Sequence, residues 1–240
     1  MSEIIVRPPD TIYQIHGEID NGTFHGRWHF SFDEYNDPDY MQFGTLRVFN
    51  DDTLSPGAVW PLHPHREIEV VTYCAGGEFR HADETGKGGI LRKGWVQHTT
   101  VGRGMMHSEI NNSETRPMRF IQMWFLPSVH GLPPSVEQRK VGKRERTDRL
   151  LPLVSMRNSE ALFLHSDAEV HSCFLQQGNT VEHHIKKGRG GYLYVLEGEG
   201  LKVNEQGVPV LGAVKATGAL TLHITALGDS ELLLIDVLLA

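Results

Sequence analysis

The sequence is poor in cysteine, in long apolar runs and in net positive charge. It holds only two cysteines, Cys74 and Cys173, in 240 residues, too few for a disulfide-stapled scaffold. No stretch reaches the roughly 20 uninterrupted apolar residues of a membrane helix. The formal charge of -7 argues against broad electrostatic contact with nucleic acid. We therefore expect neither a membrane span nor a direct nucleic-acid partner.

The N-terminal residues also lack a secretory signal. Residues 1–10 contain acidic residues and prolines where such a signal needs an apolar run, so we expect a cytoplasmic protein. A length of 240 residues suits one large all-β domain or two domains of ordinary size. What the chain does have is histidine, fourteen in all, and histidine is the commonest metal-ligating side chain.

The chain reads as short β-branched and aromatic runs separated by glycine and turn residues, without a convincing long amphipathic helix. This spacing predicts an all-β sandwich or barrel. The Pro133–Pro134 pair and the charged segment that follows mark a domain boundary. We predict an N-terminal domain over 1–135, a solvated linker over 136–149 and a C-terminal domain over 150–240. The runs are residues 43–49, 68–74, 118–126, 191–198, 219–227 and 231–239.

An internal repeat supports two similar domains. Residues 70–79 align with residues 192–201 at an offset of 122, which pairs Gly76 with Gly198. The same offset places Ile185 opposite His63, so the second copy lacks the histidines of the first. We expect a degenerate C-terminal domain that binds no metal and stabilises the first.

Two short segments combine histidine with carboxylate at strand spacing. Side chains at i and i+2 share one face of a strand, so His63 and His65 can both direct a nitrogen at one ion, with Glu67 or Glu69 along the same row. His107 and Glu109 repeat this pattern after a glycine turn. Three imidazoles and one carboxylate favour a transition metal. Spacing alone leaves Glu69 and Glu109 open as the fourth ligand.

The segments also fit the two signatures of the cupin superfamily. The first signature, GX5HXHX3-4EX6G, is complete, whereas in the second, PXGXXHXXXN, a glycine stands in place of the proline. The preceding glycine, Gly94, lies two residues too far upstream. The matching residues are Gly57, His63, His65, Glu69 and Gly76 for the first signature, and Gly102, Gly104, His107 and Asn111 for the second.

A wider set of segments resembles the pirin family, especially the bacterial pirin-like bicupins with quercetin 2,3-dioxygenase activity. The resemblance implies two cupin barrels, with a single metal, usually iron, in the N-terminal barrel. It implies that Glu109 replaces the cupin-type glutamate that Glu69 would represent. The segments are residues 28–52, 63–73, 75–77, 100–109 and 135–141, and the implied ligands are His63, His65, His107 and Glu109.

Several neighbouring residues have two readings each. Glu67 and Glu69 either hydrogen-bond a ligating imidazole or form salt bridges with Arg66 or Arg80. Trp60, Met105 and Met106 either line an entrance for a flat aromatic substrate or pack in the core. His81 and His98 are expected to be ordinary polar residues near the cavity.

The resemblance implies a metal-dependent dioxygenase that cleaves a flavonol such as quercetin with O2 and releases carbon monoxide. Fe(II) is the expected metal, with Ni, Cu, Mn and Zn as alternatives, and Glu109 is either a ligand or the general base. The main alternative is a non-catalytic, redox-sensing regulator that binds a protein partner. A third is another cupin reaction, since one fold hosts many chemistries.

Overall fold

Short β-strands make up most of the chain in the computed structural model, which describes residues 2–84 and 88–239. Strand-favouring valine, isoleucine, tyrosine and phenylalanine fill the runs identified in the sequence. Short 3-10 helices lie between strands at Pro9–Thr11, Pro38–Tyr40 and Lys143–Arg146. Among the residues described, no helix is long and apolar enough to cross a membrane.

The N-terminal barrel consists of a large sheet and a small sheet. The large sheet contains, from edge to edge, β12 (Ser135–Arg139), β9 (Val96–Thr100), β6 (Glu69–Gly76), β11 (Met118–Phe125), β4 (Leu46–Leu54), β3 (Gly22–Trp28) and β2 (Tyr13–Ile19). The small sheet that packs against it contains β5 (Val59–His65), β10 (Met105–Asn111), β7 (Glu78–Asp83) and β8 (Ile90–Arg92).

The C-terminal barrel has the same construction. Its large sheet contains, in order, β1 (Glu3–Arg7), β20 (Ala213–Thr217), β17 (Arg189–Glu197), β22 (Ser230–Leu238), β15 (Ala168–Leu175), β13 (Leu151–Ser155) and β14 (Leu162–Phe163). Its small sheet contains β16 (Thr180–Ile185), β21 (Leu220–Ala226), β18 (Leu201–Val203) and β19 (Gln206–Val208). Strand β17 takes the place of β6, as the sequence repeat indicates. The predicted all-β bicupin fold is therefore confirmed.

The buried apolar side chains form three clusters. One fills the N-terminal barrel between its sheets and includes Leu54, Cys74, Phe79 and Phe120. A second fills the C-terminal barrel. The largest lies between the two large sheets, where side chains of both barrels meet. The barrels therefore share a core and do not stand as independent units.

The chain begins in the C-terminal barrel, builds the N-terminal barrel and then returns to the C-terminal barrel. Strand β1 pairs with β20 of the C-terminal barrel, and β12 pairs with β9 of the N-terminal barrel. Within the predicted linker, 136–149, β12 occupies the first part and Val141 and Arg146 are buried, whereas most of the other residues are exposed. Arg146 forms an ion pair with Glu231. The domain limits at 135 and 150 stay a prediction.

Candidate metal centre

Three imidazoles meet where β5 and β10 run antiparallel. His107 lies directly opposite His63, and His65 lies opposite Met105. The three ring centroids are 4.6, 4.7 and 4.8 Å apart. One nitrogen from each ring lies within 4.8 Å of the other two, and within the described part of the chain this is the only such group of three or more potential ligands. The predicted convergence of two separate segments is present in the structure.

A break in regular pairing shapes the same strand. The register between β5 and β10 shifts between His107 and Glu109, so that Trp60 stands opposite Glu109 while His63 stands opposite His107. The extra residue on β5 is a β-bulge, which re-aims side chains. Trp60 and His63 consequently face one cavity although three positions separate them.

The hydrogen bonds of the rings leave the Nε2 side open. His63 Nδ1 lies 2.7 Å from the carbonyl oxygen of Pro61, and His107 Nδ1 lies 3.0 Å from His81 Nε2. The Nε2 atoms of His65 and His107 are buried, and neither has a hydrogen-bond partner among the described residues. Buried polar atoms are rarely left unpaired in native proteins, and a metal would satisfy these two. The donor set therefore fits a transition metal.

The burial of the site keeps two of these rings neutral. Burial, with His107 and His63 nearby, lowers the pKa of His65 to about 4. Burial, with His63 and His81 nearby, lowers the pKa of His107 to about 3. A neutral imidazole offers the lone pair that a metal requires. At neutral pH both rings are thus in the ligating form.

Glu109 lies beside the histidines and is held from behind. Its Oε2 is 3.9 Å from His63 Nε2 and its Oε1 is 3.6 Å from His107 Nε2. Gln122 Nε2 donates to Glu109 Oε1 at 2.7 Å, and Trp124 Nε1 donates to Gln122 Oε1 at 2.9 Å. The indole thereby fixes the amide as a donor toward Glu109. Among the described residues, no hydrogen bond reaches Oε2, which lies nearest to His63.

Glu69 and Glu67 do not lie on the same row as the histidines. Strand β5 ends at His65, and Glu67 has a φ of +52°, which breaks the alternation. Glu67 lies 3.1 Å from His130 Nδ1 and accepts from the backbone of Gly131. Neither reading proposed for it from the sequence is correct.

Glu69 faces the region between the barrels. Its Oε2 lies 2.7 Å from His98 Nε2 and accepts from Thr100 Oγ1 and from the backbone N–H of His165. The side chain is buried on the face of β6 opposite the cavity. Glu69 is therefore committed to a contact between the barrels, and Glu109 is the carboxylate beside the histidine cluster.

The cluster opens on a cavity of about 320 Å³ between the two sheets of the N-terminal barrel. Trp60 lines it as predicted, together with Phe120 and Trp124. Met105 and Met106 do not line this cavity, and Met106 is exposed. Several polar lining residues were not predicted from the sequence. These residues are Asn50, Asp52 and Gln122. The sequence contained a sign of them, since residues 50–52 are a polar run inside β4 and Gln122 interrupts the apolar strand β11.

The corresponding region of the C-terminal barrel is occupied by ion pairs. His183 Nε2 lies 2.7 Å from Asp236 Oδ2, and Arg189 forms salt bridges with Asp236 and Asp167. His184, its neighbour, contacts Thr221 instead. The two neighbouring rings therefore point to opposite faces of β16 and do not converge on one ion.

Comparison with known proteins agrees with this description. Residues 13–125 match the Pirin family model, and residues 153–237 match that of the quercetinase C-terminal cupin domain. A pirin-like protein of Caulobacter vibrioides is 36% identical, over 92% of this chain and 95% of the relative. A quercetin 2,3-dioxygenase of Escherichia coli K12 is 31% identical, over 92% of each chain.

Solved structures show the same architecture. The crystal structure of YhhW from Escherichia coli superposes with a TM-score of 0.90 and 28% identity, over 99% of both chains. A structure of bacterial pirin YhhW in complex with nickel(II) gives a TM-score of 0.89 at 28% identity, over 99% of this chain and 100% of that one.

Fold and histidine cluster together define a bicupin with a candidate metal centre in its N-terminal barrel. The matches place it more closely. The chain belongs to the pirin family.

Proposed function

We propose that the protein is a metal-dependent dioxygenase that cleaves flavonols such as quercetin with O2. The observation that carries the proposal is the cluster of three histidines, of which His63 and His65 line an aromatic-lined cavity together with the Glu109 carboxylate. The volume of this cavity, about 320 Å³, is at the lower end of the range usual for small-molecule sites. The name of the Escherichia coli relative supports the same reaction.

We assign His63, His65, His107 and Glu109 as the metal ligands and Fe(II) as the metal. Such an ion would supply a Lewis-acidic, redox-active centre for a flavonol hydroxyl group and dioxygen. Nickel, copper, manganese and zinc remain alternatives, and the nickel complex of YhhW is a precedent for that metal.

The chain itself would bind the substrate and move one proton. Trp60 and Trp124 lie on the cavity wall, where a flat ring can pack against them. Glu109 Oε1 already accepts from Gln122, so Oε2 is the atom that would either ligate the ion or, once detached from it, take the proton of the 3-hydroxyl group. Loss of this proton makes the substrate electron-rich, and opening of its heterocycle by O2 then releases carbon monoxide.

The test follows the flavonol absorbance band in air with iron-loaded protein. We expect the band to disappear with the wild type and to persist with His107→Ala. Glu109→Gln keeps the shape of the side chain and removes its basicity, so we expect at least a hundredfold lower rate, on the order of a general base contribution. Its iron content must be measured in parallel.

Full turnover by iron-loaded Glu109→Gln would show that Glu109 is not the base. If the wild type left every flavonol unchanged while holding iron, the non-catalytic, redox-sensing regulator would be favoured. We also propose a cytoplasmic location, which the two buried free thiols Cys74 and Cys173 support.

A further inference from the structure

Two polar side chains of β4 line the same cavity as the histidines. Asn50 and Asp52 are two positions apart, so they share the face of the strand that lines the cavity. Asn50 pairs across the sheet with Gln122, and Asp52 with Phe120. Asp51, between them, points to the other barrel, where it accepts a hydrogen bond from the Tyr194 hydroxyl group, and it also pairs with Arg119 of β11. Strand alternation thus places both residues on the wall of the cavity.

Asn50 presents an acceptor with nothing to accept from. Its side-chain Oδ1 is buried, the residue is only 4% exposed, and no described residue donates a hydrogen bond to this atom. An unpaired buried acceptor is destabilising. Because Asn50 lines the cavity, a hydroxyl group of a ligand beside it can supply the missing donor.

Asp52 is held in place by one of its two oxygens. Trp28 Nε1 donates to Oδ1 at 3.1 Å, and a Cβ atom at Gly26 would lie only 2.7 Å from both of these atoms. Gly26 therefore leaves the space in which the carboxyl group and the indole meet. Among the described residues, no hydrogen bond reaches the second oxygen of Asp52.

The surroundings also favour the protonated form of this carboxyl group. Burial raises the pKa of Asp52 well above its usual range; the Trp28 hydrogen bond opposes the rise, and the charges of Asp51 and Glu109 add to it. A protonated carboxyl group both donates and accepts a hydrogen bond. Asn50 and Asp52 together therefore offer complementary groups along one wall.

We propose that Asn50 and Asp52 form a recognition pair for the ring hydroxyl groups of an aromatic substrate, so that the cavity selects polyhydroxylated rings. The identity of the substrate as a flavonol rests on the proposed function. Asn50 accepts from one hydroxyl group, and Asp52 donates to a phenolic oxygen. A ring without hydroxyl groups leaves both unpaired, and sites built to hydrogen-bond a substrate reject such analogues strongly.

The experiment measures binding under nitrogen, without turnover, by quenching of tryptophan fluorescence in nickel-loaded protein. The probes are quercetin and 3-hydroxyflavone, a flavonol whose rings carry no hydroxyl group other than that on carbon 3. We expect Asn50→Leu to weaken quercetin binding about fivefold, the worth of one hydrogen bond. Binding of 3-hydroxyflavone should change less than about twofold.

Asp52 is tested with a matched pair of variants. Asp52→Asn keeps an acceptor for Trp28 and a donor for the ligand, so the preference for quercetin should be retained. Asp52→Leu removes both groups and should lower that preference about fivefold. Thr53→Val is the control, because it makes a similar polar-to-apolar change at the next position of β4, which does not line this cavity.

An unchanged quercetin affinity in Asn50→Leu and Asp52→Leu would overturn the proposal, as would an equal loss for both probes. Turnover in air is measured separately. A wild type that discriminates between the probes but cleaves neither would contradict the dioxygenase assignment while supporting the recognition pair.

Discussion

The hydrogen bond between His81 and His107 can be removed without changing the size of the buried ring at position 81. A ligating Nε2 on neutral His107 requires the proton on Nδ1, which then donates to His81 Nε2 at 3.0 Å. His81→Phe leaves that N–H unpaired in a site where both residues are at most 3% exposed. Loss of such a partner typically weakens metal binding by about 10–100-fold, or about 1.4–2.7 kcal/mol.

The assay is competition for nickel between metal-free protein and a chromogenic chelator. His81→Gln is the matched control, because its amide oxygen can still accept from His107 Nδ1 and should restore most of the affinity. Circular dichroism of the metal-free variants shows whether each is folded. A folded His81→Phe variant that binds nickel as tightly as the wild type would refute the role of His81 in orienting His107.

Two further predictions concern stability. Nickel at about 100 times its Kd should stabilise the wild type by about 2.7 kcal/mol, which raises its Tm by about 5–10 °C. His63→Ala should lose most of this increase in Tm. Equal increases in the two proteins would exclude His63 as a ligand. Burial lowers the pKa of His171 from 6.5 to about 4, so the unfolded chain binds the proton more readily. Stability is then present above about pH 6.5 and declines toward pH 4. Between about pH 7 and pH 5, the free energy of unfolding in urea should fall by about 2 kcal/mol more for the wild type than for His171→Gln. Equal decreases in the two proteins would contradict this prediction.

The proximity of the three histidines and Glu109 was predictable from the sequence because it depends on local strand geometry. Alternation along a strand puts His63 and His65 on one side, and the same rule applies to His107 and Glu109. The rule failed beyond His65, since the strand ends there and Glu67 adopts a positive φ. Spacing alone cannot show where a strand stops. The choice between Glu69 and Glu109 needed that information.

The second layer of the site depends on strand pairing, which the sequence does not specify. His81, Gln122 and Asn50 come from three strands that are distant in sequence and meet the ligands only through the sheet registers. The two-barrel fold was readable from the repeat, since each copy carries the same strand-to-turn transition. The sequence did not show which sheet the edge strands β1 and β12 join, because each is short and its pattern suits either sheet.

Strand β1 has consequences for synthesis on the ribosome. Its partner residues, Ala213 to Thr217, follow it by more than 200 positions along the chain. At about 5–20 residues per second, β1 waits roughly 10–40 seconds for β20 to be translated. During that interval the backbone N–H and C=O groups of β1 have no partner strand in the nascent chain. Other polypeptides can pair with this exposed strand.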